Sequence, residues 1–162
     1  MGSDLTLPVD GGLFNLRVGA IIQRDGKFLM VKNENHPYCY SVGGRIRFGE
    51  TAEQAVVREV EEETGVRLEI DRLGFVEEDF FYADVPGKEG RLIQELSFYF
   101  YMKTPPDFEP VCRSFTEFGA QERLEWVSPD TEKPFFPRFF RTELADPKPY
   151  VRHIVTDDRN RS

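Results

Sequence analysis

With 162 residues, 40% hydrophobic and 31% charged, the chain has the length of one domain and enough apolar material for a core without disulfide staples. Its formal net charge of -8 argues against nucleic-acid polymers and anionic membranes, whose partners carry a basic footprint. No apolar run approaches the ~18 residues that a bilayer requires. A phosphate-bearing small molecule stays open on one condition: cations must stand between it and an acidic protein.

The first residues, Met1-Gly2-Ser3-Asp4, carry no basic stretch followed by an apolar one, so no secretory signal is expected. Leu13 to Gln23 alternates and then runs apolar, as a strand entering a core does. Arg24-Asp25-Gly26 supplies a turn, and Lys27 to Val31 reads as the returning strand of a hairpin. Asn33 to Pro37 reads as loop, and Tyr40 to Val42 as a short strand running into Gly43-Gly44.

Thr51 to Thr64 is the clearest helix: Thr51 and Gln54 form a capping-box signature, and Gly65 stands where a left-handed C-terminal cap belongs. Val66 to Tyr82 and Arg91 to Met102 are rich in strand formers and are separated by Pro86-Gly87. A proline-rich loop follows at Thr104 to Pro110, then a strand at Arg123 to Val127 and a C-terminal helix over Phe139 to Ala145. This order predicts an α+β protein with a mixed sheet and packed helices, not a regular βαβ repeat. Residues 1–12 read as an N-terminal segment, 13–145 as the domain and 146–162 as a tail. Cys39 and Cys112 lack metal-ligand spacing and read as ordinary thiols of a reduced, cytoplasmic protein.

The chemistry concentrates on the helix. At about 100° per residue, with Ala52 at zero, Glu59, Glu63 and Glu62 share an arc of roughly 100°, beside Ala55 and Val56, while Glu61 points away. Three carboxylates beside a face that should be buried repel one another and are costly to desolvate. A hard divalent cation, Mg2+ with Mn2+ as substitute, would compensate them and would also bind an anionic substrate. Taken alone, a run such as Val60-Glu61-Glu62-Glu63 is a solvated acidic face.

The surrounding spacing says more. Gly44, five residues, Glu50, seven residues, then Arg58-Glu59-Val60-Glu61-Glu62-Glu63-Thr64-Gly65-Val66 resembles the Nudix box at every specified position, and the order of elements over residues 13–145 is similar to that family. One departure is Val42, where the family often has proline. The resemblance implies a Nudix-type α/β/α sandwich with a central mixed β-sheet. It also implies metal-dependent hydrolysis of a phosphoanhydride bond in a nucleoside diphosphate linked to another moiety. That substrate would be a nucleoside triphosphate, dinucleoside polyphosphate, nucleotide sugar or ADP-ribose.

By position, Glu59, Glu62 and Glu63 look like metal ligands, with the carbonyl of Gly43 completing the shell. Arg58 paired with Glu50 looks like the brace that orients them. Glu95 is the expected acid from outside the box, as ligand or base beside Glu59 and Glu62, against the plainer reading of an exposed strand acid. Arg17, Gly44 and Arg45 are expected at the phosphates, with Lys32 and Arg47 as rivals. Tyr82, sixteen places after Val66, resembles a marker of dinucleoside-polyphosphate hydrolases and is expected to touch substrate. Phe80 and Phe81 could stack a base, and His36 could reach substrate from its loop. Trp126, Phe135, Phe136, Phe139 and Phe140 read as core or as a homodimer contact. The competing function is a silent nucleotide-binding regulatory domain of the same family, although no box residue is lost here.

Overall fold

The hairpin at Arg24-Asp25-Gly26 forms as its residues dictate, with Asp25 (φ 52°) and Gly26 (φ 75°) turning Gln23–Arg24 (β3) back into Lys27–Asn33 (β4). In this computed structural model residues 2–111 and 121–160 are described. Thr6–Val9 (β1) folds back on Gly12–Ile21 (β2), so the first twelve residues add a strand to the sheet. Cys39–Arg45 (β5) precedes Ala52–Thr64 (α1). Ile70–Tyr82 (β6), Leu92–Met102 (β7), Glu122–Val127 (β8), Phe135–Phe136 (β9), Phe140–Glu143 (α2) and Arg152–Asp157 (β10) follow.

The strands form one mixed sheet in the order β10-β6-β7-β2-β5-β4-β3, with β1 paired to β2, β8 to β4 and β9 to β5. β2 runs parallel to β7, and β10 parallel to β6. The segment 146–162, read as a tail, therefore carries an edge strand. Alternation along Arg152–Asp157 is weak, which hid it from a reading by pattern. The mixed sheet with helices is the α+β class expected. Its second helical layer shrinks to the single turn of α2, because the expected helix ends at Glu143.

Two apolar clusters lie on opposite faces of the sheet. Ala55, Val56 and Val60 of α1 pack on Val18, Ala20, Val42 and Phe100, all buried. Each buried valine contributes about 1.5–3 kcal/mol, and a charge at Val60 would break the contact. The other face is aromatic: Phe28, Phe75, Tyr99, Tyr101, Phe135 and Phe140 interlock, with Phe28 5.3 Å from Phe135 in an edge contact. The high phenylalanine content thus fills two cores. Among the described residues only Phe48 and Phe136 are phenylalanines left largely exposed. Cys39 is buried with a free thiol, and burial pushes it up to about 11, while Cys112 lies outside the described residues. Among the described residues no helix is long and apolar enough to cross a membrane.

Candidate active site

Helix α1 starts where Thr51 Oγ1 accepts from the Gln54 N–H and Gln54 Oε1 accepts from the Thr51 N–H, each at 3.0 Å. This reciprocal cap fixes the helix phase and so decides where the acids stand. Arg58 lies at the centre. Its Nε and Nη2 donate to the two oxygens of Glu50 at 2.7 and 2.9 Å, and its Nη1 to Glu59 at 2.8 Å and more loosely to Glu62 at 3.3 Å. Nη2 also donates to the carbonyl of Arg45 at 3.1 Å, tying the helix to the end of β5. The expected brace of Arg58 and Glu50 is present as a two-oxygen pair.

Charge follows from this geometry. The hydrogen bond from Arg58 holds the Glu50 carboxyl below its ordinary value, and the same bond raises Arg58. Burial raises Glu59 despite its bond to Arg58. Glu63 is raised further, by burial first and then by Glu59 and Glu122; it accepts the Gly43 N–H at 3.4 Å. Glu62 is half exposed, with Arg47 3.9 Å away.

The double glycine has a steric reason. A Cβ on Gly44 would lie 2.5 Å from the Glu59 carboxylate, and one on Gly43 would lie 2.1 Å from the Val18 carbonyl oxygen. At Gly43 the obstacle is the backbone of β2, so β5 pairs there only without a side chain, whereas at Gly44 it is the movable end of Glu59.

Arg17 and Arg45 are register partners on β2 and β5, beside that gap. Burial alone would lower Arg17, but Glu95, Tyr99, Glu59 and Glu63 more than offset it and hold its guanidinium charged. Glu95 stands 4.0 Å from Arg17 and accepts from Asn15 Nδ2 at 2.8 Å. It therefore faces the box acids across Arg17. Glu59, Glu62, Glu63, Gly43, Gly44, Glu50, Arg58, Arg17 and Arg45 come together, and Glu95 joins them on the far side of the arginine. Tyr82 does not: it is exposed at the end of β6, on the face opposite Glu77 and Asp79. Lys32 turns to the carbonyls of Asn33 and His36, and His36 stacks on Tyr38 at 4.9 Å, away from the acids.

Sequence reasoning missed Glu122 and Tyr40. They hydrogen-bond each other, and both are close enough to Glu63 to share its electrostatics. Strand β8 brings Glu122 there by pairing with β4, a long-range contact with no local signature.

The donor set suits a hard divalent cation, since Glu59, Glu62, Glu63 and the Gly43 carbonyl offer only oxygen. Two of these carboxyls are raised by burial, the condition that a cation would relieve. Among the described residues no three acidic, histidine or cysteine side chains form a ready-made cation cage; Glu59 and Glu62 turn to Arg58 instead.

A family model described as NUDIX domain matches residues 13–144. Over 52 residues the chain is 48% identical to an ADP-ribose pyrophosphatase of Methanocaldococcus jannaschii, covering 30% of this chain and 31% of that protein. Over 55 residues it is 38% identical to a MutT-like protein of Streptomyces ambofaciens, covering 34% and 36%. The chain thus matches about a third of the length of these curated relatives. The crystal structure of a MutT NUDIX hydrolase from Burkholderia pseudomallei is similar, with 27% identity, 77% of this chain and 92% of that one covered, and a TM-score of 0.54. An ADP-ribose pyrophosphatase from Streptococcus suis shares the fold at 17% identity and TM-score 0.58, over 87% and 98% of the two chains.

Proposed function

The chain belongs to the Nudix family, and from that premise we propose that it is a Mg2+-dependent pyrophosphohydrolase of a nucleoside diphosphate linked to a further group. The observation that carries this reading is the full set of box acids gathered at Arg58 and at bare Gly43-Gly44, with Arg17 and Arg45 beside them. Members of this family generally use divalent metal ions. Glu59, Glu62, Glu63 and the Gly43 carbonyl would hold the ion here, with Mn2+ as a substitute. When bound, it neutralises phosphate charge and polarises the phosphoryl group.

The chain's own residues supply the rest. Arg17 and Arg45 hold phosphate oxygens by charge-assisted hydrogen bonds. Water attacks phosphorus, a new P–O bond forms, and the P–O bond to the bridging oxygen breaks, so that this oxygen leaves on the departing phosphate and the products are a nucleoside phosphate and the phosphorylated remainder of the substrate. Glu59 is the strongest candidate to accept the water's proton, because burial raises its pKa toward the working range of a general base. Glu62 is the second candidate. Glu95 fixes Arg17 and Asn15 on the substrate side, which makes it a binding group before a base. Tyr82, far from these groups, has no part in the reading. A buried free thiol at Cys39 suits a reducing cytoplasm, and the negative charge suits a small nucleotide over a polymer.

A hydrolysis screen with Mg2+ over ADP-ribose, nucleoside triphosphates, dinucleoside polyphosphates and nucleotide sugars tests the proposal. Turnover of one class, lost in Glu62→Gln with unchanged thermal unfolding, is the expected outcome. Binding of nucleotides with no product from any of them would support the regulatory reading instead.

A further inference from the structure

Beyond the arginines, the same face of the sheet continues as a polar row that begins at Glu95, the partner of Arg17. Residues paired in register point to one side of a sheet. Thr6, Asn15, Glu95, Asp79 and Thr156 are paired in turn across β1, β2, β7, β6 and β10. The next row, Arg45, Arg17, Ser97 and Glu77, lies two residues along β2, about 6.7 Å away.

Asn15 is only 4% exposed. Its Nδ2 donates to Glu95 at 2.8 Å, while its Oδ1 has no partner. Exchanging the amide ends would not help, because the carbonyl would then face a carboxylate. Next to it in the row, Thr6 Oγ1 is also buried without a partner. An amide oxygen kept dry and unpaired beside a carboxylate is costly unless a ligand donates to it.

The chemistry of the row narrows that ligand. Glu95 and Asn15 Oδ1 are acceptors, and the Thr6 hydroxyl serves either way. A phosphate would be repelled. Among the described residues the acids do not assemble as a cation cage. A heterocyclic base presents acceptors as well as donors, whereas adjacent hydroxyl groups supply the donors that the row lacks. Carboxylates read ribose hydroxyls in other folds for this reason.

We propose that this row is a sugar subsite, in which the two vicinal hydroxyls of the ribose esterified to the diphosphate donate one to Glu95 and one to Asn15 Oδ1. The proposal rests on the reading that Arg17 and Arg45 hold the diphosphate, since the ribose then falls one row away. The protein thereby discriminates ribonucleotides from deoxynucleotides.

Calorimetric titration of the Mg2+-supplemented full chain with ADP, 2′-deoxy-ADP and 3′-deoxy-ADP tests it, alongside UDP and 2′-deoxy-UDP. We expect ADP to bind at least about tenfold more tightly than either deoxy form, as a site built to pair a hydroxyl should. Asn15→Leu should reduce the ratio to within about threefold. Thr6→Val, which leaves the amide bond to Glu95 intact, should lower it by a smaller factor, so the test survives if the first variant fails to fold. Equal binding of ADP and its deoxy forms overturns the proposal, as does a ratio untouched by either folded variant or present with one base only. Hydrolysis measured on the same samples separates the two readings. Turnover without ribose preference removes the subsite and leaves the enzyme, and preference without turnover does the reverse.

Discussion

The molecule carries two groups of crowded carboxylates, and it balances them by different means. Around α1, Glu50, Glu59 and Glu62 share the permanent cation of Arg58. Across β6 and β7, Glu77 meets neutral hydroxyls instead, and Glu95 divides itself between Arg17 at 4.0 Å and the neutral amide of Asn15. Glu77 accepts from Thr156 Oγ1 at 2.6 Å and from the Tyr99 hydroxyl at 3.4 Å, and Glu95 accepts from Asn15. Arg138, whose charge reaches Glu77 and Asp79, is committed to Asp158 at 2.8 Å. The guanidinium holds Glu50 below its ordinary value and opposes the burial that raises Glu59. Hydroxyls oppose burial less: burial first, and then Glu77, Glu95 and Asp158, push Asp79 up to about 7. The first cluster suits charged chemistry and the second suits recognition of neutral donors.

Removing charge from the first cluster should have the largest effect. Glu59→Gln and Glu62→Gln should each lower kcat by about 10²–10⁴-fold in saturating Mg2+, with unfolding midpoints close to the parent's. Full activity in either variant would dissolve the distinction between the two clusters. Arg58→Met comes next. It leaves Glu50 and Glu59, only 16% and 14% exposed, without their cation. The loss should be about 2–3 kcal/mol in urea denaturation, below that for a fully buried pair because solvent still screens the site. Excess Mg2+ should restore part of it, whereas the strand cluster should show no such rescue. Gly44→Ala is milder and more selective. The new methyl would press on the mobile end of Glu59 rather than on backbone, so stability should hardly change while kcat falls about tenfold, a misplacement effect.

These two clusters also differ in how far the sequence discloses them. Every member of the first lies between Gly44 and Val66, where helical period and capping fix the relative positions of the side chains before any long-range contact forms. The helix limits, the brace of Arg58 and Glu50, the turn at Asp25-Gly26 and the strands at the centre of the sheet were readable for that reason. Glu77 and Asp79 come from β6 and Glu95 from β7, and only the register between the two strands brings Glu95 to the other two. Glu95 was legible as a strand acid, but not its position across Arg17. Asn15 was a polar residue inside an apolar strand, a signal present in the chain and passed over. Glu122 arrives through β8 and β4, and β10 through pairing with a strand about 75 residues earlier, Arg152 on Phe75. Tyr82 shows the opposite case, since a spacing that suggested a substrate contact leads to the sheet face opposite Glu77 and Asp79.

The smallest effect, and the one most specific to the second cluster, is a change in how stability depends on pH. Asp79 moves from an ordinary 3.8 to about 7 in the folded protein. Between those values the native state holds a proton that the unfolded chain has released, so stability falls as pH rises from about 4 to about 7 and then levels off. Asp79→Asn is neutral throughout and removes that share of the decline. Because Asp79 is partly exposed, the gain over the parent at pH 8 should be about 1–2 kcal/mol, less than the unscreened shift implies. Glu77, also raised by burial, should leave a shallower decline of the same sign in the variant. Urea denaturation at pH 5, 6, 7 and 8 reads both slopes. Parallel lines for parent and variant would mean that burial and the neighbouring acids do not raise the Asp79 carboxyl, and the contrast between the two clusters would fail at the residue where it should be sharpest.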